Sequence, residues 1–91
     1  MVNRVLVTGG AGFIGSHLVD ELMNRDLDVV VLDDLSSGKR DNLSQHLGKP
    51  SFCLVEGDVR NSADVKKALD GVGAVFHLAA IVSVDFSVKN P

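Results

Sequence analysis

Tryptophan and tyrosine are absent from this 91-residue chain, cysteine occurs once, proline twice, and the aromatic complement is four phenylalanines. Each scarcity excludes something. Cys53 has no second cysteine for an internal disulfide or a thiolate metal site. Lying in the run Phe52-Cys53-Leu54-Val55, it is expected to be a buried strand thiol rather than a reactive one. No apolar run approaches the roughly 18–20 residues that span a bilayer. Met1-Val2-Asn3-Arg4 leads directly into a short strand and not into a long apolar region with a small-residue cleavage site, so a cytoplasmic chain is expected. Lys and Arg form no cluster longer than a pair and the net charge is −3, which argues against non-specific binding to nucleic acid or anionic membrane. His17, His46 and His77 have no metal-ligand spacing with supporting carboxylates.

What is present is ordinary for one small globular domain, 45% hydrophobic and 23% charged. Such a domain buries about 60–65% of its unfolded surface. Short β-branched runs alternate with helical periodicity. Strands are expected at Asn3–Val7, Val29–Leu32, Ser51–Glu56 and Ala74–Leu78. A helix is expected from Phe13 to Asn24, with Ile14, Leu18 and Leu22 on its apolar stripe and Val19 and Met23 widening it. Leu35 to Pro50 reads as a loop with a short helix near Asp41 to His46. A further helix is capped by Asn61 or Ser62, carries Asp64 in its first turn and Lys66 and Lys67 toward its end, stops at Gly71, and has Val65, Ala68 and Leu69 as its stripe. This alternation gives an α/β chain with a parallel sheet covered on both faces, in spatial order 3-2-1-4. Ligands of such a sheet bind beyond the carboxyl ends of its strands, at the switch point.

The first strand runs into Thr8-Gly9-Gly10-Ala11-Gly12-Phe13-Ile14-Gly15, which satisfies both G-x-G-x-x-G and T-G-x-x-G-x-x-G. Following a strand, opening a helix, and having an acidic residue about 20 positions further on is the context that a dinucleotide site requires. No Gly-Lys-Ser/Thr follows, which excludes a nucleoside triphosphatase loop. Asp33 can accept hydrogen bonds from the adenosine ribose and would repel a 2′-phosphate, favouring NAD over NADP. Lys39 and Arg40 are the residues that could instead reach such a phosphate. Asp34 is either a second polar contact or an exposed strand end. Asp58 is expected to meet the adenine amino group with Val59 on the ring, the alternative being a turn aspartate bonded to its own backbone. His77, like His17 and His46, reads as structural, since it has no carboxylate neighbour in sequence. Ser83 has no base beside it to make it a nucleophile.

With these residues in view, the chain resembles the N-terminal part of the extended short-chain dehydrogenases/reductases, and within them the NAD-dependent nucleotide-sugar epimerases and dehydratases. The resemblance rests on Val7 to His17, Leu32 to Gly38, Glu56 to Arg60, Phe76 to Ala80 and Ser87 to Pro91. It implies the N-terminal half of a Rossmann-type doubly wound sheet. It also implies that Gly9, Gly12 and Gly15 with the amides of Phe13 and Ile14 hold the NAD pyrophosphate. Asp33 would hold the ribose, and Asp34, Ser36, Ser37 and Gly38 the adenosine side. Asp58 and Val59 would meet adenine, and Leu78, Ala79 and Ala80 the nicotinamide side. Asp34 stands where the family usually carries Asn.

The family's chemistry is hydride transfer from a sugar carbon to NAD, returned to the opposite face by an epimerase or preceding loss of water in a dehydratase. Its general base is the tyrosine of a Tyr-x-x-x-Lys motif, and this sequence has no tyrosine. The expectation is therefore an NAD-binding half-domain over residues 1–91, without catalytic residue or sugar-binding domain, and inactive alone. A dehydratase, a hydroxysteroid-type dehydrogenase and a stand-alone non-catalytic dinucleotide-binding module are the alternatives. A bare apolar edge at Ala74–Leu78 is expected to promote self-association.

Overall fold

The computed structural model describes residues 3–35 and 39–78. Ser36, Ser37, Gly38, Ala79, Ala80 and Ser83, named above, lie outside the described residues. The elements are β1 (Arg4–Thr8), α1 (Phe13–Asn24), β2 (Asp28–Asp33), a 3-10 turn (Arg40–Leu43), β3 (Phe52–Glu56), α2 (Ser62–Ala68) and β4 (Ala74–His77). All strand pairs are parallel, in the order β3-β2-β1-β4. β1 and β2 are apolar along nearly their whole length because both of their faces are covered.

One core, on the α1 face, joins Val5, Val7, Val29, Val31 and Phe52 of the sheet to Val19 and Leu22 of the helix and to Leu43 of the 3-10 turn. The other joins Leu6, Val30, Leu32 and Val55 to Ala68 of α2. Fully burying each such Val, Leu or Phe side chain contributes about 1.5–3 kcal/mol. Cys53, expected to be buried, is exposed. It shares a row with Leu6 and Val30, which are 2% and 1% exposed. α2 runs from β3 to β4 over the sheet centre and leaves the outer end of that row, on edge strand β3, uncovered.

The span of α1 is the expected one, but its buried face differs. Gly15, Ser16, Val19 and Leu22 face inward, while Phe13 and Ile14 are 78% and 64% exposed. The cause is a backbone contact: a Cβ on Gly15 would lie 2.2 Å from the Gly9 carbonyl oxygen and 2.8 Å from Gly10 Cα. Glycine at 15 lets the helix rest on the turn, and Ile14, one residue earlier and about 100° around the axis, is turned away. In α2 the Asn61 side chain accepts from the amides of Ala63 and Asp64, so the cap is Asn61. Leu69, expected on the buried stripe, is exposed, because the helix ends at Ala68.

The segment after β2 is fastened at two points. The Leu43 side chain is fully buried in the α1-face core. His46, 4% exposed, donates from Nε2 to Asp20 Oδ1 at 2.6 Å, and Gln45 donates to the same oxygen. Burial works to raise the Asp20 carboxyl, but the bonds from His46 and Gln45 outweigh it and leave the group below its usual range. Leu43→Ala is expected to cost about 2–5 kcal/mol, against under ~1 kcal/mol for Leu47→Ala on the exposed neighbour, measured as urea unfolding midpoints.

Candidate functional site

The carboxyl ends of β1, β2 and β3 and the N-terminus of α1 form one rim. Between β1 and α1 the chain reverses through Gly9, whose φ of 75° is left-handed and whose amide donates to Leu32 O at 2.9 Å. Gly10 fits closely under β2, since a Cβ there would meet both Val31 methyls at 2.8 Å. Gly12 differs from both. It has extended backbone at φ −76°, and a Cβ there would meet nothing nearer than Gly9 O at 3.5 Å. A Cβ at Gly12, where α1 begins, would thus make only an ordinary van der Waals contact, so the protein's own packing does not require a glycine there. No side chain caps that helix and no acidic residue occupies its first turn. The first-turn amides of an α-helix have no intrahelical acceptor and sit at the positive end of its dipole, which suits a phosphate.

Asp33 closes the rim from β2. Only 8% exposed, its carboxylate accepts from Ala11 N at 2.9 Å through Oδ2 and from Leu35 N at 2.8 Å through Oδ1. The Ala11 carbonyl in turn accepts from Lys39 N at 3.1 Å and from Asn42 Nδ2 at 2.7 Å. The peptides flanking Ala11 thus bind the glycine turn to the end of β2 on one side and to the 3-10 turn on the other. Each carboxylate oxygen has a second lone pair, so Asp33 can still receive a ribose hydroxyl while holding both amides. Leu35 adopts φ 62°, a left-handed angle that a leucine rarely takes, immediately beside this carboxylate.

On the adenine side Asp58 already has partners within the chain. Asp58 Oδ1 accepts from the backbone and Nε of Arg60, and Oδ2 from its Nη2 at 2.7 Å. This is the turn-aspartate arrangement, with a charged clamp added. Its amide donates to Asp64 Oδ2 at 3.0 Å, fixing the β3–α2 connection. The Arg60 side chain, helped by its backbone N–H, pushes the Asp58 carboxyl down to about 2. Val59 is exposed, Asp34 is exposed with the Arg60 guanidinium in its field, and Leu78 is half-buried at the end of β4. His77 Nδ1 lies 2.8 Å from Thr8 Oγ1, its register partner on β1.

Gly9, Gly12, Phe13, Ile14, Gly15 and Asp33 are therefore brought together, and Asp58 and Val59 lie further along the rim after β3. Ala11, Leu35 and Asn42 were missed, because the first two act through backbone atoms and the third has no sequence context that distinguishes it from a loop asparagine. Among the described residues no group of three or more His, Cys, Asp or Glu could hold a metal ion.

Residues 5–91 match the NAD dependent epimerase/dehydratase family. The chain belongs to that family. It is 46% identical over 97% of its length to UDP-glucuronic acid decarboxylase 6 of Arabidopsis thaliana, covering 24% of that protein. It is 43% identical over 96% of its length to a putative UDP-glucose 4-epimerase of Methanocaldococcus jannaschii, covering 27% of it. Among solved structures, the Thermus thermophilus UDP-glucose 4-epimerase in complex with NAD is 43% identical with a TM-score of 0.67, over 81% of this chain and 23% of that one. The chain spans about a quarter of the length of these relatives. The Rossmann-type order of its sheet is shared with such neighbours.

Two measurements check the site. Gly15→Ala is expected to destabilise the fold by about 1–3 kcal/mol, whereas Gly12→Ala should cost under ~1 kcal/mol, compared by denaturant unfolding. The Asp58 carboxyl should titrate near 2 by NMR. In Arg60→Gln it should return toward the ordinary aspartate value of about 3.9. Because its folded pKa is depressed, the stabilisation from this pair is present above that ordinary value and is lost as pH falls toward 2.

Proposed function

We propose that this chain is the NAD-binding part of a nucleotide-sugar epimerase of the UDP-glucose 4-epimerase type. The observation that carries the proposal is Asp33: a nearly buried carboxylate, fixed by two amides, beside a glycine turn that leads into a helix with no side-chain cap. Those residues fit a dinucleotide. The first-turn amides of Phe13 and Ile14 would take the pyrophosphate. Asp33 would accept from the adenosine ribose hydroxyls and disfavour a 2′-phosphate. Asp34 and the 36–38 segment would line the adenosine side. Asp58 and Val59 would border adenine, with the Asp58 carboxylate exchanging part of its bonding to Arg60 for the amino group. Leu78, Ala79 and Ala80 would flank the nicotinamide side. The bound cofactor would supply the hydride acceptor, while these side chains only bind and orient it. The Thermus relative, described as a complex with NAD, supports the cofactor assignment.

In this reading the chain binds NAD and performs no turnover alone, since the sequence has no tyrosine to act as the family's general base. The sugar nucleotide belongs to the whole enzyme. Similarity to a UDP-glucuronic acid decarboxylase, at 46% identity, favours a second reading, in which the same cofactor half serves a decarboxylating enzyme. A cytoplasmic location and self-association through the β4 edge, where Val75 and Phe76 are exposed, complete the proposal.

Calorimetric titration of the 91-residue chain with NAD is expected to give saturable binding that Asp33→Ala weakens at least tenfold while far-UV dichroism is retained. Absence of binding would refute the cofactor assignment. Epimerisation of UDP-glucose by the pure chain would refute its lack of turnover.

A further inference from the structure

We infer that Glu56 is a specificity-determining residue that withholds Arg40 from the ribose 2′ position and so disfavours NADP. The inference rests on the proposed NAD site and extends it to a residue that site does not itself contain. Asp33 and Glu56 are register partners at the carboxyl ends of β2 and β3, and Gly57 N donates to Asp33 O at 3.1 Å. Side chains alternate along a strand, and Val29, Val31, Phe52 and Leu54 all contribute to the α1-face core. Asp33 and Glu56 continue those two series, so their carboxylates lie side by side on one face of the rim.

Arg40 reaches Glu56 from the 3-10 turn. Its position is fixed by the neighbouring Lys39 amide, which donates to the Ala11 carbonyl, while the Ala11 amide donates to Asp33. An arginine beside the ribose carboxylate is the element that accommodates a 2′-phosphate in dinucleotide sites of this architecture. Here the Arg40 guanidinium instead pairs with Glu56 Oε1. Its charge is thereby compensated within the protein. A 2′-phosphate would meet Asp33 with the Arg40 charge already compensated, whereas a 2′-hydroxyl needs no cation. Both partners are about half-exposed, at 53% and 52%. A pair so exposed adds little to stability, so breaking it should change the charge available at the rim more than the fold.

The test measures NAD and NADP dissociation constants by calorimetry for the unsubstituted chain, Glu56→Gln, Arg40→Ala and the double variant, with thermal midpoints confirming the fold. Glu56→Gln is expected to raise the NADP-to-NAD affinity ratio at least fivefold. In the Arg40→Ala background the same substitution should change it less than twofold. An unchanged ratio in Glu56→Gln overturns the inference. An equal rise with and without Arg40 also overturns it, because the effect would then be the loss of one negative charge. No NAD binding by the unsubstituted chain overturns the underlying site as well, and is thereby distinguished from the other two outcomes.

Discussion

The Asp33 carboxylate is the contact on which the rim depends. A strand end and a glycine turn have no intrinsic reason to hold a fixed relation, and both present amides that must find acceptors. One buried carboxylate satisfies the Ala11 amide with one oxygen and the Leu35 amide with the other, and the Ala11 carbonyl passes the constraint on to Lys39 and Asn42. Hydrogen bonds to a charged acceptor are about twice as strong as neutral ones, and burial of Asp33 shields them from water. The residue proposed to recognise the ribose therefore also builds the surface on which the ribose would rest.

Around this contact the glycines divide by physical role. Gly9 supplies a left-handed angle, Gly10 room for Val31, and Gly15 a close approach of helix to turn. Gly12 does none of these: at the uncapped end of α1, a Cβ there would make only an ordinary contact with Gly9 O. Three glycines are thus explained by the protein's own packing, and the fourth is not.

Much of this was legible in the sequence. The parallel order 3-2-1-4 follows from alternating strands and helices with right-handed crossovers, and α1 spans the residues expected from its periodicity. Strand ends differ by one residue or so, because pairing and not composition decides where a ladder stops. The errors share a cause. Ile14 and Leu69 were assigned to buried faces from apolar spacing, yet backbone contact at Gly15 sets the phase of α1 and early termination exposes Leu69. Cys53 was placed inside because its neighbours are apolar, but an edge strand is covered only where a helix reaches it. The Arg60 clamp on Asp58 and the Arg40 pair with Glu56 join charges that the sequence reading treats separately, Asp58 as an adenine contact or turn aspartate and Arg40 as a residue that could reach a 2′-phosphate. The decarboxylases among its relatives were not foreseen, since every residue singled out here serves the cofactor and none distinguishes one sugar reaction from another.

The most direct measurement is a two-dimensional amide NMR titration of the chain with NAD. Binding across the glycine turn should shift the amides of Ala11, Gly12, Phe13, Ile14 and Leu35 in a saturable, concerted way, with Lys66 and Lys67 on α2 unmoved. Saturable shifts confined to α2 or β4, or none at the turn, would contradict a pyrophosphate and ribose site built on Asp33.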